Sequence, residues 1–97
     1  MNNESVKVSV TWMPEKVHRL PTSSSYSTVA KFVEDAESWP DRAWSVVLEF
    51  EPAEGMRKTF DARARFLVSD APWKRLQTGC TFEMYEGLKL TAKVKVL

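Results

Sequence analysis

The chain is poor in the residues from which reactive centres and covalent staples are built. It has one cysteine, Cys80, and one histidine, His18, among its 97 residues. A single thiol forms no internal disulfide, which suits a reducing compartment, and the alternating neighbours of Cys80 read as those of a core thiol. No CxxC, HxxxH or HExxH spacing occurs, so a zinc or hydrolytic metal site is not expected. The three glycines never fall into a GxGxxG or P-loop pattern, so nothing cradles a nucleotide phosphate and no cofactor is expected. Long apolar runs are also missing. The opening MNNESVKVSV alternates apolar with polar residues and carries Glu4, unlike a signal peptide or membrane span, which predicts a cytoplasmic protein with no membrane association.

What the chain does have is an ordinary globular composition, 43% hydrophobic and 28% charged. That is too apolar for intrinsic disorder and long enough for one core, so residues 1–97 are expected to form a single domain. Net charge is only +1, yet it is unevenly spread. Residues 1–55 hold five Lys/Arg against nine Asp/Glu, and residues 56–97 hold nine against four. Such asymmetry steers charged partners wherever folding leaves it intact.

The dominant period is two. Val6, Val8, Val10 and Trp12 alternate with Lys7, Ser9 and Thr11, and Pro14 ends that strand. Trp44, Val46, Leu48 and Phe50 repeat the pattern before Pro52 and Gly55. The clearest alternation runs from Lys58 to Ser69, with Phe60, Ala62, Ala64, Phe66 and Val68 inward and Asp61, Arg63 and Arg65 outward. Two more strands, Thr81 to Tyr85 and Leu88 to Val96, meet across Glu86 and Gly87 in a hairpin whose tight turn calls for positive φ at Gly87. Between residues 21 and 40, YSTVAKFV suits a strand, and nothing sustains a helical stripe. Six short strands with turn signals at intervals of about ten residues predict an all-β fold, a sandwich or a closed antiparallel barrel. Trp12 and Trp44 fall on inward positions, and Trp39, before Pro40, reads as a loop anchor.

Catalytic constellations are not evident. Glu34, Asp35 and Glu37 cluster, as do Glu49, Glu51 and Glu54, but both groups sit in or beside turns with no buried partner, as solvated carboxylates do. Ser23, Ser24 and Ser25 lack the strand-to-helix elbow of a nucleophile. The chain is therefore expected to be a non-enzyme.

The segment ARARFLVSDAPWKRLQTGCTFEMYEGLKLTAKVKVL resembles the last strands of the third, C-terminal β-barrel domain of elongation factor Tu. The matching residues are Ala64, Phe66, Gly79, Phe82, Glu86, Gly87, Ala92 and Val96, with fainter counterparts upstream at Arg19, Pro21, Tyr26 and Phe32. The resemblance implies a stand-alone six-stranded antiparallel barrel of that type. In the family this barrel contacts the T-arm of aminoacyl-tRNA, packs on the GTPase domain and receives the exchange factor. Glu86 and Gly87 match the hairpin near the tRNA backbone, and Tyr26 matches the aromatic of a Gly-Tyr-Arg-Pro stretch. This chain departs from the pattern at Ser25, Ser27, Thr28, Leu88 and Val94.

Two function classes follow. One is a protein-interaction module, related to translation or neutralising a toxin, with Trp73, Lys74, Arg75 and Tyr26 as interface residues, since Trp and Arg dominate interface hot spots. The other is an RNA-binding module that grips a tRNA or other RNA backbone. Lys89, Lys93 and Lys95, sharing the outward face of the last strand with Thr91, would join Arg63, Arg65, Glu86 and Gly87 in that role if the two strands are neighbours. The same cations also suit a solvated outer face that discourages edge pairing. No DNA sequence readout is expected.

Overall fold

The computed structural model describes residues 5–14, 16, 24–33, 39, 43–68 and 71–97. Glu4, His18, Arg19, Pro21, Ser23, Pro40, the cluster at Glu34, Asp35 and Glu37, and the side chain of Trp73 lie outside the described residues.

The alternating segments become six strands: β1 (Val6–Trp12), β2 (Ser25–Lys31), β3 (Trp44–Glu49), β4 (Thr59–Phe66), β5 (Thr81–Glu86) and β6 (Lys89–Val96). They close into one antiparallel barrel in the order β1-β4-β3-β2-β5-β6, with β6 returning to β1. Closure leaves no strand edge unpaired, which removes the exposed N–H and C=O rows of an open sheet. Among the described residues, the only helical elements are short 3-10 turns, including Glu54–Met56 and Trp73–Arg75. No described helix is long and apolar enough to cross a membrane.

Inward positions of all six strands meet in a single core. Val8, Val10, Trp12, Val46, Leu48, Ala64, Phe66, Met84 and Ala92 are wholly buried. The aromatic residues sort toward the two ends. Trp12, Tyr26, Phe60 and Phe50 pack at the hairpin end, with Trp12 edge-on to Tyr26 at 5.1 Å and Phe50 edge-on to Phe60 at 5.1 Å. Phe32, Phe66 and Phe82 fill the opposite end, with Phe32 stacked on Phe82 at 4.7 Å. Edge-on and offset arrangements of this kind suit the charge distribution of aromatic rings. Trp44 and Cys80 are partly buried and pack against the same core.

Two glycines fix connections for different reasons. Gly55 sits in the β3–β4 connection, where its carbonyl accepts a 2.9 Å hydrogen bond from Trp12 Nε1. A Cβ there would run into the Phe50 ring, so a side chain fits only if that ring moves. Gly87 opens the two-residue turn between Glu86 and Lys89 and has φ of 63°. Leu88 has no positive φ, so the sign pattern is that of a type II′ turn, with glycine at the first central position.

Two departures from strict alternation matter. β4 ends at Phe66, which leaves Val68 44% exposed instead of inward. In β6 the pairing passes from Ala92 opposite Met84 to Leu90 opposite Tyr85, so Thr91 is an extra residue without a partner in β5. This β-bulge turns Thr91 into the interior, where it is fully buried, and reverses the faces of the residues before it.

Gly87→Val is expected to destabilise the protein by about 1–3 kcal/mol, because a β-branched residue resists positive φ. Thermal denaturation should show a loss of roughly 5 °C or more. An unchanged melting temperature would mean that the turn relaxes to an ordinary φ at no cost.

Candidate nucleic-acid interface

Antiparallel register, rather than sequence proximity, assembles the main surface feature. On the outer face, Ser9 of β1 stands beside Lys95 of β6, which stands beside Thr81 of β5. Two residues along, a second row runs Thr11, Lys93, Glu83 and Lys31 across β1, β6, β5 and β2. At 3.3–3.4 Å per residue the rows lie about 7 Å apart. Together they line a groove of about 660 Å³.

The groove brings three lysines and several hydroxyl donors together on a lining that also includes the exposed Val33. Lys93 and Lys95 are exposed, and Lys31 is half-buried. No described residue forms an ion pair with any of the three. The hydroxyls of Ser9, Thr11 and Thr81 stand between or beside them, and Glu83 is the single acid among the described residues of the lining. Asp61 neighbours Ser9 on the β4 side but lies outside the groove lining. Phe32 and Phe82, each 3% exposed, also line the groove, but their rings pack in the core and offer no open face for stacking.

The other cations expected to join this surface do not. β1 lies between β4 and β6, so Arg63 and Arg65 are not adjacent to the β6 lysines. Arg63 donates through Nε to Ser5 Oγ at 2.9 Å, and Arg65 pairs with Glu49 at 3.5 Å. The bulge moves Lys89 off the face of Lys93 and Lys95 and sets it opposite Glu86 at the barrel rim. Thr91, expected outward beside them, is inside for the same reason. In the 71–80 connection, Arg75 lies over the Phe32 ring, 5.5 Å from its centroid, while Lys74 is exposed.

Glu86 and Tyr26 belong to a polar cluster that closes the hairpin end. Lys16 Nζ lies 2.7 Å from Glu86 Oε2, and the Tyr26 hydroxyl donates to the same oxygen at 2.6 Å. That hydroxyl is also 2.7 Å from Thr91 Oγ1, which reaches the Met84 carbonyl at 3.2 Å. Lys16 Nζ further sits 4.9 Å from the Tyr26 ring centroid. Lys16 is only 8% exposed, and a buried ammonium needs such partners. Its role had no sequence signal, because it follows Pro14 outside any alternating segment.

A second tyrosine borders the groove. Tyr85 donates its O–H to Glu83 Oε1 at 3.0 Å, and Trp39 packs on its ring at 4.9 Å, which makes Trp39 the anchor its position suggested. Burial raises the Tyr85 pKa above its ordinary 10.0, with further raises from the Glu83 hydrogen bond and charge. Among the described residues no three metal-ligating side chains converge.

The Lys16–Glu86 pair predicts an asymmetry. Glu86→Leu strands a buried ammonium and should cost on the order of 3 kcal/mol, whereas Lys16→Met leaves a carboxylate that is one-third exposed and still bonded to Tyr26, costing about 1 kcal/mol. Equal losses in urea denaturation would contradict this. For Tyr85, the folded protein keeps its proton at a pH where the unfolded chain has lost it. The associated stability is therefore complete below about pH 10 and declines as pH rises through the folded value. Glu83→Gln should bring the Tyr85 midpoint, followed by ring-proton NMR, part of the way back toward 10.0, since burial is the larger cause. No movement would show that Glu83 does not act on the phenol.

Compared with known proteins, the chain matches no protein family, no curated protein and no solved structure.

Proposed function

We propose that this chain is a non-catalytic RNA-binding module whose β1-β6-β5-β2 groove holds the sugar-phosphate backbone. The observation that carries this reading is the convergence of Lys31, Lys93 and Lys95, free of ion pairs with described residues, in one groove among serine and threonine hydroxyls. Lysine and hydroxyl donors are the groups that contact phosphate and sugar oxygens. Among the described residues no aromatic face opens into the groove, so base stacking has no part in this reading and binding is expected to be largely independent of sequence. A role in translation, by resemblance to the elongation factor barrel, and a cytoplasmic location belong to the same proposal; the groove chemistry does not depend on either.

A protein-interaction module is the second reading. Leu67 and Val68, 51% and 44% exposed, precede the connection that carries Trp73, Lys74 and Arg75, and Ala71 N–H bonds back to the Val68 carbonyl. Exposed apolar residues beside cations are the composition of a small protein contact. Capture of partners from lysate with and without ribonuclease separates the two readings.

Lys93→Glu with Lys95→Glu should weaken binding of a labelled single-stranded oligoribonucleotide at least about tenfold, while the melting temperature stays unchanged. Fluorescence anisotropy of the unmodified protein should fall off with salt at a log–log slope of about −2, as three contacts to a single strand give. Full binding by the double variant, or a slope near zero, would overturn the reading.

A further inference from the structure

The acid in the middle of the cationic groove needs a reason. Glu83 stands in register between Lys93 and Lys31, yet forms an ion pair with neither. Its carboxylate is drawn instead toward Tyr85, whose O–H occupies Oε1 at 3.0 Å. Oε2 receives no hydrogen bond from a described residue, and the side chain is half-buried in the groove lining. Glu83 is thus held by a neutral donor at one oxygen, and its other oxygen has no partner among the described residues.

A carboxylate only accepts hydrogen bonds, and so do the oxygens of a phosphodiester. Against a backbone that carries acceptors alone, Glu83 is repulsive and unpaired. The backbone of DNA is such a ligand, for it contains no hydrogen-bond donor between its ends. The ribose 2′-hydroxyl is the one donor that an RNA backbone adds, and it is the group by which proteins tell the two apart. Acidic side chains are suited to ribose hydroxyls for this reason.

We infer that Glu83 is a specificity residue, accepting a ribose 2′-hydroxyl while Lys93, Lys95 and Lys31 hold the flanking phosphates. The groove therefore selects RNA over DNA without reading bases. Tyr85 is the positioning residue that fixes the carboxylate. This inference rests on the proposed RNA-binding reading.

The test uses fluorescence anisotropy with oligo(U), oligo(dU) and 2′-O-methyl oligo(U), which differ only at the sugar. The unmodified protein should bind oligo(U) about tenfold or more tighter than the other two, as one hydrogen bond to a charged group gives. Glu83→Ala should erase that ratio chiefly by strengthening binding of oligo(dU), because the repulsive charge is gone. Tyr85→Phe should lower the ratio without erasing it. Equal binding of the three probes by the unmodified protein, or a ratio that survives Glu83→Ala, overturns the assignment while leaving backbone binding intact. Binding of none of the probes overturns the RNA-binding reading and this inference with it.

Discussion

Everything on the outer surface of this protein depends on where β1 inserts. By pairing with β4 on one side and β6 on the other, β1 closes the sheet and satisfies the two edges that would otherwise remain. The same insertion sets which outward residues become neighbours. It joins Ser9 to Lys95 and Thr11 to Lys93, and it separates the arginines of β4 from the lysines of β6. A basic half-chain is thereby divided into two regions. In one, Arg63 and Arg65 are engaged by Ser5 and Glu49; in the other, lysines line a groove without ion pairs to described residues.

Closure also creates an end to be sealed, and the hairpin end is sealed with polar groups. Thr91 is the extra residue of the bulge, and burying it calls for hydrogen-bond partners, which Tyr26 and the Met84 carbonyl supply. Glu86 accepts from Tyr26 and balances Lys16, so the carboxylate leading into the turn is tied to the barrel mouth. The turn and its flanking charges thus hold the end of the barrel together, while the ligand surface proposed here lies on the barrel wall.

Much of the fold was legible because strands such as β1 and β4 carry one polar-out, apolar-in register throughout. Phe60, Ala62, Ala64 and Phe66 are inward as their spacing required, and Gly87 has the positive φ its turn position called for. Strand order was not legible, since alternation identifies faces and says nothing of neighbours. Treating β4 and β6 as adjacent therefore put Arg63 and Arg65 in the wrong company. The bulge was hidden for a related reason: TAKVKV alternates without interruption, and only the pairing with β5 shows that Thr91 and Lys89 leave the outward face. Lys31, Ser9 and Thr11 were overlooked as site residues because each is unremarkable within its own strand. They matter only through their cross-strand partners.

Amide chemical-shift mapping with a single-stranded oligoribonucleotide at low salt addresses the central claim most directly. The groove account predicts shifts that saturate together and concentrate at Ser9, Thr11, Lys31, Thr81, Glu83, Lys93 and Lys95, with Arg63, Arg65 and the 71–80 connection unmoved. Shifts centred on that connection or on β4, or no shifts at all, would contradict it.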